Sequence, residues 1–158
     1  MAAPLITQSI EIDASAEAVW AVVSDLRRMG EWSPQCKKMI IRNGPVGLGT
    51  RTININRRGP LIWPTTAKVV RFSPTRELAF RVAENHTVWS YTIEPNGSGV
   101  TVTEKREVPE GKTTKVSSVL VDKFMGGTTN FEAELKLGMA ETLDKIKRAA
   151  ESSGARAA

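Results

Sequence analysis

Residues 116–151 read VSSVLVDKFMGGTTNFEAELKLGMAETLDKIKRAAE, and this stretch decides how the rest of the chain must be arranged. Leu120, Phe124, Gly127, Phe131, Leu135, Gly138, Thr142 and Ile146 fall along one stripe at a period of 3.6, which predicts a long amphipathic helix. About 30 residues of helix would measure about 45 Å. Gly126 and Gly127 interrupt its middle. Each interior glycine costs about 1 kcal/mol against alanine, so a bend or a separate first segment is expected there, with 116–125 less tightly held.

Toward the N-terminus the pattern changes to strands. Lys37–Arg42, Thr50–Arg58, Ile62–Phe72, Glu77–Ala83, Thr87–Glu94 and Val100–Val108 are separated by turn chemistry, including Asn43-Gly44-Pro45, Gly59-Pro60, Ser73-Pro74 and the Pro95–Gly99 run. Such short connections imply antiparallel hairpins rather than βαβ units. Leu5–Ile12 alternates and supplies a seventh strand. Ser15 is placed to cap a helix whose apolar face is Ala18, Val19, Val22 and Val23. A second short helix starts near Ser24-Asp25-Leu26 and is expected to stop at Gly30. The class is α+β: a curved seven-stranded antiparallel sheet, two short helices after the first strand, and one long C-terminal helix. Residues 1–151 form one domain, and 152–158 read as a small, polar, flexible tail. The amphipathic strands need a cover, and the long helix alone is large enough. A twisted sheet cannot lie flush on one cylinder along its length, so a gap is expected where the two diverge.

Composition narrows the chemistry. The 158 residues are 41% hydrophobic and 25% charged, a balance normal for a globular domain. Cys36 is the sole cysteine and His86 the sole histidine, which excludes an internal disulfide, a Cys-rich zinc site and a multi-His metal site. No cofactor or metal is expected. The net charge of +5 is spread over scattered Lys and Arg, with no basic block and no aromatic-plus-basic motif, so no nucleic-acid partner is expected. No apolar run reaches membrane-spanning length. Residues 1–12 lack a leader pattern, and a reduced, cytoplasmic setting is the expectation.

The element order, with Ile10-Glu11-Ile12, Ala18-Val19-Trp20, Ser24-Asp25 and Glu31-Trp32-Ser33-Pro34, resembles the START-like (SRPBCC) helix-grip superfamily, in particular its bacterial polyketide cyclase/dehydrase and lipid-transport branch. Trp63, Trp89-Ser90-Tyr91 and Gly138–Leu143 add to the likeness, which covers about residues 5–150. The resemblance implies a deep apolar cavity between sheet and C-terminal helix. It does not imply one activity, because members carry lipids, sterols, hormones or polyketides and some are cyclases or hydratases.

The residues offer several constellations. Trp32, Trp63, Phe80, Trp89, Tyr91, Phe124 and Phe131 could line a cavity for a flat or acyl ligand, or form ordinary core. Gly127 and Gly138 remove bulk from the helix stripe, for a close strand or for a ligand. Val100, Val102, Glu104, Arg106 and Val108 share one strand face, and the valines mark it as the inner one. Glu104 and Arg106 would then face the cavity and must pair with each other, with Tyr91 or with a polar ligand group, because an unpaired buried charge is costly. A wet salt bridge at the rim is the competing reading. His86, between two strands, reads as a surface residue or an acid–base group. Asn130 and Glu134 flank the helix stripe. Gly44–Gly49 opens no helix and so makes a poor phosphate loop.

The leading expectation is a binder of a small hydrophobic ligand, monomeric or homodimeric, contacted by Trp32, Trp63, Phe80, Trp89, Tyr91, Phe124, Gly127 and Phe131 and oriented by Glu104 and Arg106. Residues 112–127 and the Gly59-Pro60 hairpin would gate access. The alternatives are a cyclase, aromatase or dehydratase using Tyr91, Glu104, Arg106 or His86, and a ligand-free interaction or toxin-like module.

Overall fold

The computed structural model describes residues 5–42, 44–108 and 128–157, and their side chains except those of 128–131 and 154–157. Strand β1 (Leu5–Ile12) is followed by α1 (Ala16–Val23), a 3-10 turn (Leu26–Arg28) and α2 (Met29–Trp32). Six strands then run as a meander: β2 (Cys36–Ile40), β3 (Arg51–Arg58), β4 (Leu61–Ser73), β5 (Glu77–Val82), β6 (Val88–Asn96) and β7 (Gly99–Glu107). Helix α3 (Thr128–Ala157) follows. It runs past Glu151, through the stretch whose composition reads as a tail.

The seven strands form one antiparallel sheet in the order β1-β7-β6-β5-β4-β3-β2. Strands β1 and β2 therefore sit at opposite edges, and α1 and α2 carry the chain from one edge to the other. Register breaks between Val69 and Arg71 and between Cys36 and Lys38 add local bend and twist, which curl the sheet around the helices. This is the helix-grip architecture. Pro64 lies in the part of β4 that β5 does not reach, where a missing N–H disturbs no ladder on that side.

Ser15 caps α1 as its sequence position predicts, its Oγ accepting from the Ala18 N–H at 3.1 Å. Val19, Val22 and Val23 are buried beneath it. The described part of the helical stripe is borne out: Leu135, Thr142 and Ile146 are buried, joined by Met139, Leu143 and Ala150, while Leu120, Phe124, Gly127 and the Phe131 side chain lie outside the described residues. The expected stop at Gly30 is corrected, because α2 continues through it to Trp32. Gly30 is there for space. A Cβ at this position would lie 2.1 Å from the Lys37 carbonyl oxygen. The bend expected at Gly126-Gly127 lies outside the described residues.

The polarity of β3 runs against its own hydrophobic pattern. Ile53 is 37% exposed, whereas Thr52 and Asn54 are 2% and 3% exposed. The inward row is a satisfied ladder. Thr52 Oγ1 donates to Asn54 Oδ1 at 2.7 Å, and Asn54 Nδ2 and Asn56 Nδ2 both donate to Thr65 Oγ1, at 3.2 and 3.0 Å. Removing one member leaves buried partners unmade. Asn54→Ala is expected to cost about 2 kcal/mol, read from the denaturant midpoint at constant m-value.

Candidate functional site

Helix α3 packs along β1 and touches β7, and α1 and α2 pack on α3 in turn. Toward the β3–β4 hairpin a cavity of about 560 Å³ opens between helix and sheet. Its walls come from the α2–β2 connection (Ser33–Gln35), Lys37 of β2, the β3–β4 hairpin (Arg57–Gly59), the inner sheet face (Trp89, Glu104) and α3 (Glu134, Leu135, Leu137–Met139, Glu141 and Thr142). Gly138 permits the close approach of α3 to this connection, since a Cβ there would meet Pro34 Cγ at 3.2 Å. Arg58 reaches from the hairpin to Glu134 on α3, its Nε donating to Oε2 at 2.6 Å.

Strand β7 presents Val100, Val102, Glu104 and Arg106 to the buried side, and Val108 just past its end is buried too, as the valine spacing predicts. The two charged residues do not pair with each other. Tyr91, opposite Glu104 in the register, donates its hydroxyl to Glu104 Oε1 at 3.0 Å. The second oxygen, Glu104 Oε2, is buried and has no hydrogen-bond partner among the described residues. Burial pushes the carboxyl up to about 8 against the opposing pull of the Tyr91 hydrogen bond, so at neutral pH Glu104 is chiefly a carboxylic acid. Burial, and then the neighbouring Glu104, hold the Tyr91 phenol well above its ordinary value. Arg106 faces the helix instead, its Nη2 3.1 Å from Glu132 Oε2. Burial lowers the Arg106 pKa, and Glu132 acts in the opposite sense.

The other candidates separate by position. Trp89 is half-buried, lines the cavity and packs with Ile6, Leu135 and Met139. Phe80 and Trp32 lie in the main core, and the Arg28 guanidinium sits 4.7 Å over the Trp32 ring. Trp63 is half-buried on the inner side of β4 and is not among the cavity walls. His86 occupies the β5–β6 turn with φ 61° and contacts Arg81 through Nδ1 at 3.0 Å, away from the cavity. Phe124, Gly127 and the gate over 112–127 lie outside the described residues, as do the side chains of Phe131 and Asn130. Gly44–Gly49 is a loop between strands with no helix after it.

Sequence reasoning missed Glu132, whose link to Arg106 crosses from sheet to helix. It also missed the polar face of β3 and the Ser33–Gln35 wall. The 52–56 alternation carried the β3 signal, with Thr and Asn on one parity and Ile on the other. Among the described residues no group of three or more His, Cys, Asp and Glu side chains is placed to hold a metal ion. No helix there is long and apolar enough to cross a membrane.

Comparison with known proteins places this geometry. A family described as polyketide cyclase / dehydrase and lipid transport matches residues 4–151. The solution structure of a Polyketide_cyc-like protein from Corynebacterium glutamicum is 32% identical, with a TM-score of 0.60 over 94% of this chain and 92% of that one. The KanY protein is 20% identical, with a TM-score of 0.70 over 96% and 99% of the two chains. The di-domain ARO/CYC protein StfQ of the steffimycin biosynthetic pathway shares the fold at 9% identity and a TM-score of 0.70; this chain covers 51% of it. No curated protein matches the sequence. From the family match over nearly its whole length, the chain belongs to the polyketide cyclase/dehydrase and lipid-transport family.

Proposed function

We propose that residues 1–151 work as one cytoplasmic unit that holds a small hydrophobic, lipid-like or polyketide-like molecule in the cavity beneath α3. The observation that carries this reading is Glu104: a buried carboxyl with one oxygen unmatched among the described residues, beside Trp89 in the wall of the cavity. Natural interiors leave few buried polar atoms without a partner, and those few call for a ligand, a water or a function. Apolar walls with a few placed polar groups are the usual make-up of a small-molecule site. Native mass spectrometry of the purified chain, followed by solvent extraction, tests the reading. A stoichiometric apolar adduct is expected, or failing that, saturable uptake of the neutral dye N-phenyl-1-naphthylamine. The absence of both overturns it.

A second reading is turnover of the cyclase or dehydratase type. The Tyr91–Glu104 pair favours it, because a buried acid that titrates near 8 can give or take a proton at working pH. The di-domain ARO/CYC neighbours share the fold and make a poly-β-keto substrate the one to try. Loss of product formation in Glu104→Gln, with binding retained, would favour turnover over carriage.

The Arg58–Glu134 bridge ties the hairpin to α3 at the cavity rim. Both side chains are partly exposed, so Arg58→Ala is expected to cost less than about 1 kcal/mol of stability. Its larger effect is expected on exchange, with dye release faster in stopped-flow dilution and the melting temperature almost unchanged.

A further inference from the structure

We propose that the inner end of the cavity recognises an uncharged acceptor oxygen, such as a ketone or ester carbonyl, through a hydrogen bond donated from Oε2 of Glu104. The inference rests on the ligand-holding reading above and adds the chemistry of the ligand's buried end.

The hydrogen-bond inventory leads there. A tyrosine hydroxyl has one hydrogen, and Tyr91 gives it to Oε1. Oε1 is therefore the acceptor side of the carboxyl, and the acid proton belongs on Oε2. That atom is buried and unpartnered among the described residues. A protonated carboxyl in this position is a donor awaiting an acceptor, and leaving it unmade is costly. The surroundings argue against an anionic head at this end. Arg106, two residues along the same strand face, is engaged by Glu132. Glu134 on α3 stands among the cavity walls. A carboxylate at Oε2 would lie against the Glu104 carboxyl and find Arg106 already paired with Glu132, while the wall cations Lys37, Arg57 and Arg58 come from the start of β2 and the end of β3, and Arg58 is bridged to Glu134.

The groups around Glu104 do not blur its titration. From β6 it faces Tyr91, held well above its ordinary value. From β2 the Cys36 thiol is pushed up to about 11 by burial. Arg106 shares its strand face, and Glu132 answers Arg106 from α3. Lys37, Arg57, Arg58, Glu134 and Glu141 complete the charged set of the cavity walls. Among the described residues of this set, burial brings the Glu104 carboxyl to about 8.

Three naphthalenes of one shape test this with the full chain: 2-acetylnaphthalene, 2-ethylnaphthalene and 2-naphthoate, titrated by calorimetry at pH 6 and pH 9.5. The ketone is expected to bind at least about tenfold more tightly than the ethyl compound at pH 6, and to lose most of that preference at pH 9.5, where the donor is gone. Glu104→Gln places an amide N–H where Oε2 stood, so it is expected to keep the preference at both pH values. Glu104→Leu is expected to bind ketone and ethyl compound alike. Equal affinities in the natural chain at pH 6 overturn the inference, as does tighter binding of naphthoate than of the ketone at that pH. A Glu104→Gln preference that vanishes, or that still falls with pH, also overturns it. Failure of all three probes to bind, the ethyl compound included, overturns instead the ligand-holding reading beneath it. Should Glu104→Leu not fold, the pH dependence and the Gln variant decide.

Discussion

At pH 9 the Glu104→Gln variant is expected to unfold at a higher denaturant concentration than the natural chain, whereas at pH 5 the natural chain is expected to be the equal or the more stable of the two. The sign follows from where the proton is held. Burial raises the Glu104 carboxyl from an ordinary 4.5 to about 8 in the folded state. Below 4.5 both folded and unfolded chains carry the proton and the group contributes its full stability. Between 4.5 and about 8 the unfolded chain releases the proton and the folded chain does not, so stability falls as pH rises. At about 1.4 kcal/mol per pH unit the loss across that window is roughly 5 kcal/mol. Above 8 the folded chain ionises too and the contribution levels off. A domain of this size has on the order of 5–15 kcal/mol in total, so the effect reaches a large fraction of it. Glutamine keeps the acceptor for Tyr91 and cannot ionise. Its amide carries two N–H groups where the neutral acid carries one O–H, and the additional unmade donor costs about 1–3 kcal/mol at every pH. The two stability curves should therefore cross between pH 5 and 9. Urea midpoints for both proteins at five pH values across that range check this. Parallel curves would mean that Glu104 is ionised in the folded state, with its charge answered inside the protein.

Strand β7 shows when a side-chain face is legible in sequence. Val100, Val102 and Val108 fix its parity, and Glu104 and Arg106 then have no other side to occupy. Strand β3 shows the opposite case. Its isoleucines would mark 53 and 55 as inner, but the register with β4 turns Thr52, Asn54 and Asn56 toward Trp63, Thr65 and Ala67. Hydrophobic pattern sets register only where nothing outweighs it, and here a mutually satisfied amide–hydroxyl ladder lowers the cost of the inverted face. The partners of the two buried ionisable groups were legible to different degrees. Tyr91 is in the next strand, on a face set by parity. Glu132 is 26 residues beyond Arg106 and on another layer, and no period in the sequence joins them. The cavity itself follows from one helix having to cover seven strands, but its walls include Ser33–Gln35, an irregular connection whose path only tertiary packing fixes.

Gly30→Ala is expected to destabilise the fold by about 2–3 kcal/mol, against the direction that its secondary structure alone would give. Within a helix, glycine-to-alanine ordinarily stabilises by about 0.5–1 kcal/mol through backbone entropy. Gly30 lies inside α2, but its missing side chain faces the backbone of Lys37. An added Cβ would sit 2.1 Å from the Lys37 carbonyl oxygen and 2.8 Å from its carbon. Neither atom can swing aside as a flexible side chain could, so α2 and the start of β2 must separate. Gly47→Ala is the matched control, because nothing lies within 4 Å of a Cβ there and its backbone is not left-handed. It is expected to change the denaturant midpoint little. The consequence of Gly30→Ala extends to the site. The chain between Gly30 and Lys37 carries Ser33, Pro34 and Gln35, one whole wall of the cavity, and Pro34 is the residue against which Gly138 of α3 is fitted. Displacing β2 from α2 therefore moves that wall relative to Glu104. Weaker dye uptake should accompany the stability loss under conditions where the variant is still fully folded. A variant that lost stability yet bound the dye unchanged would show that the wall tolerates the shift, and that Gly30 serves the fold without shaping the cavity.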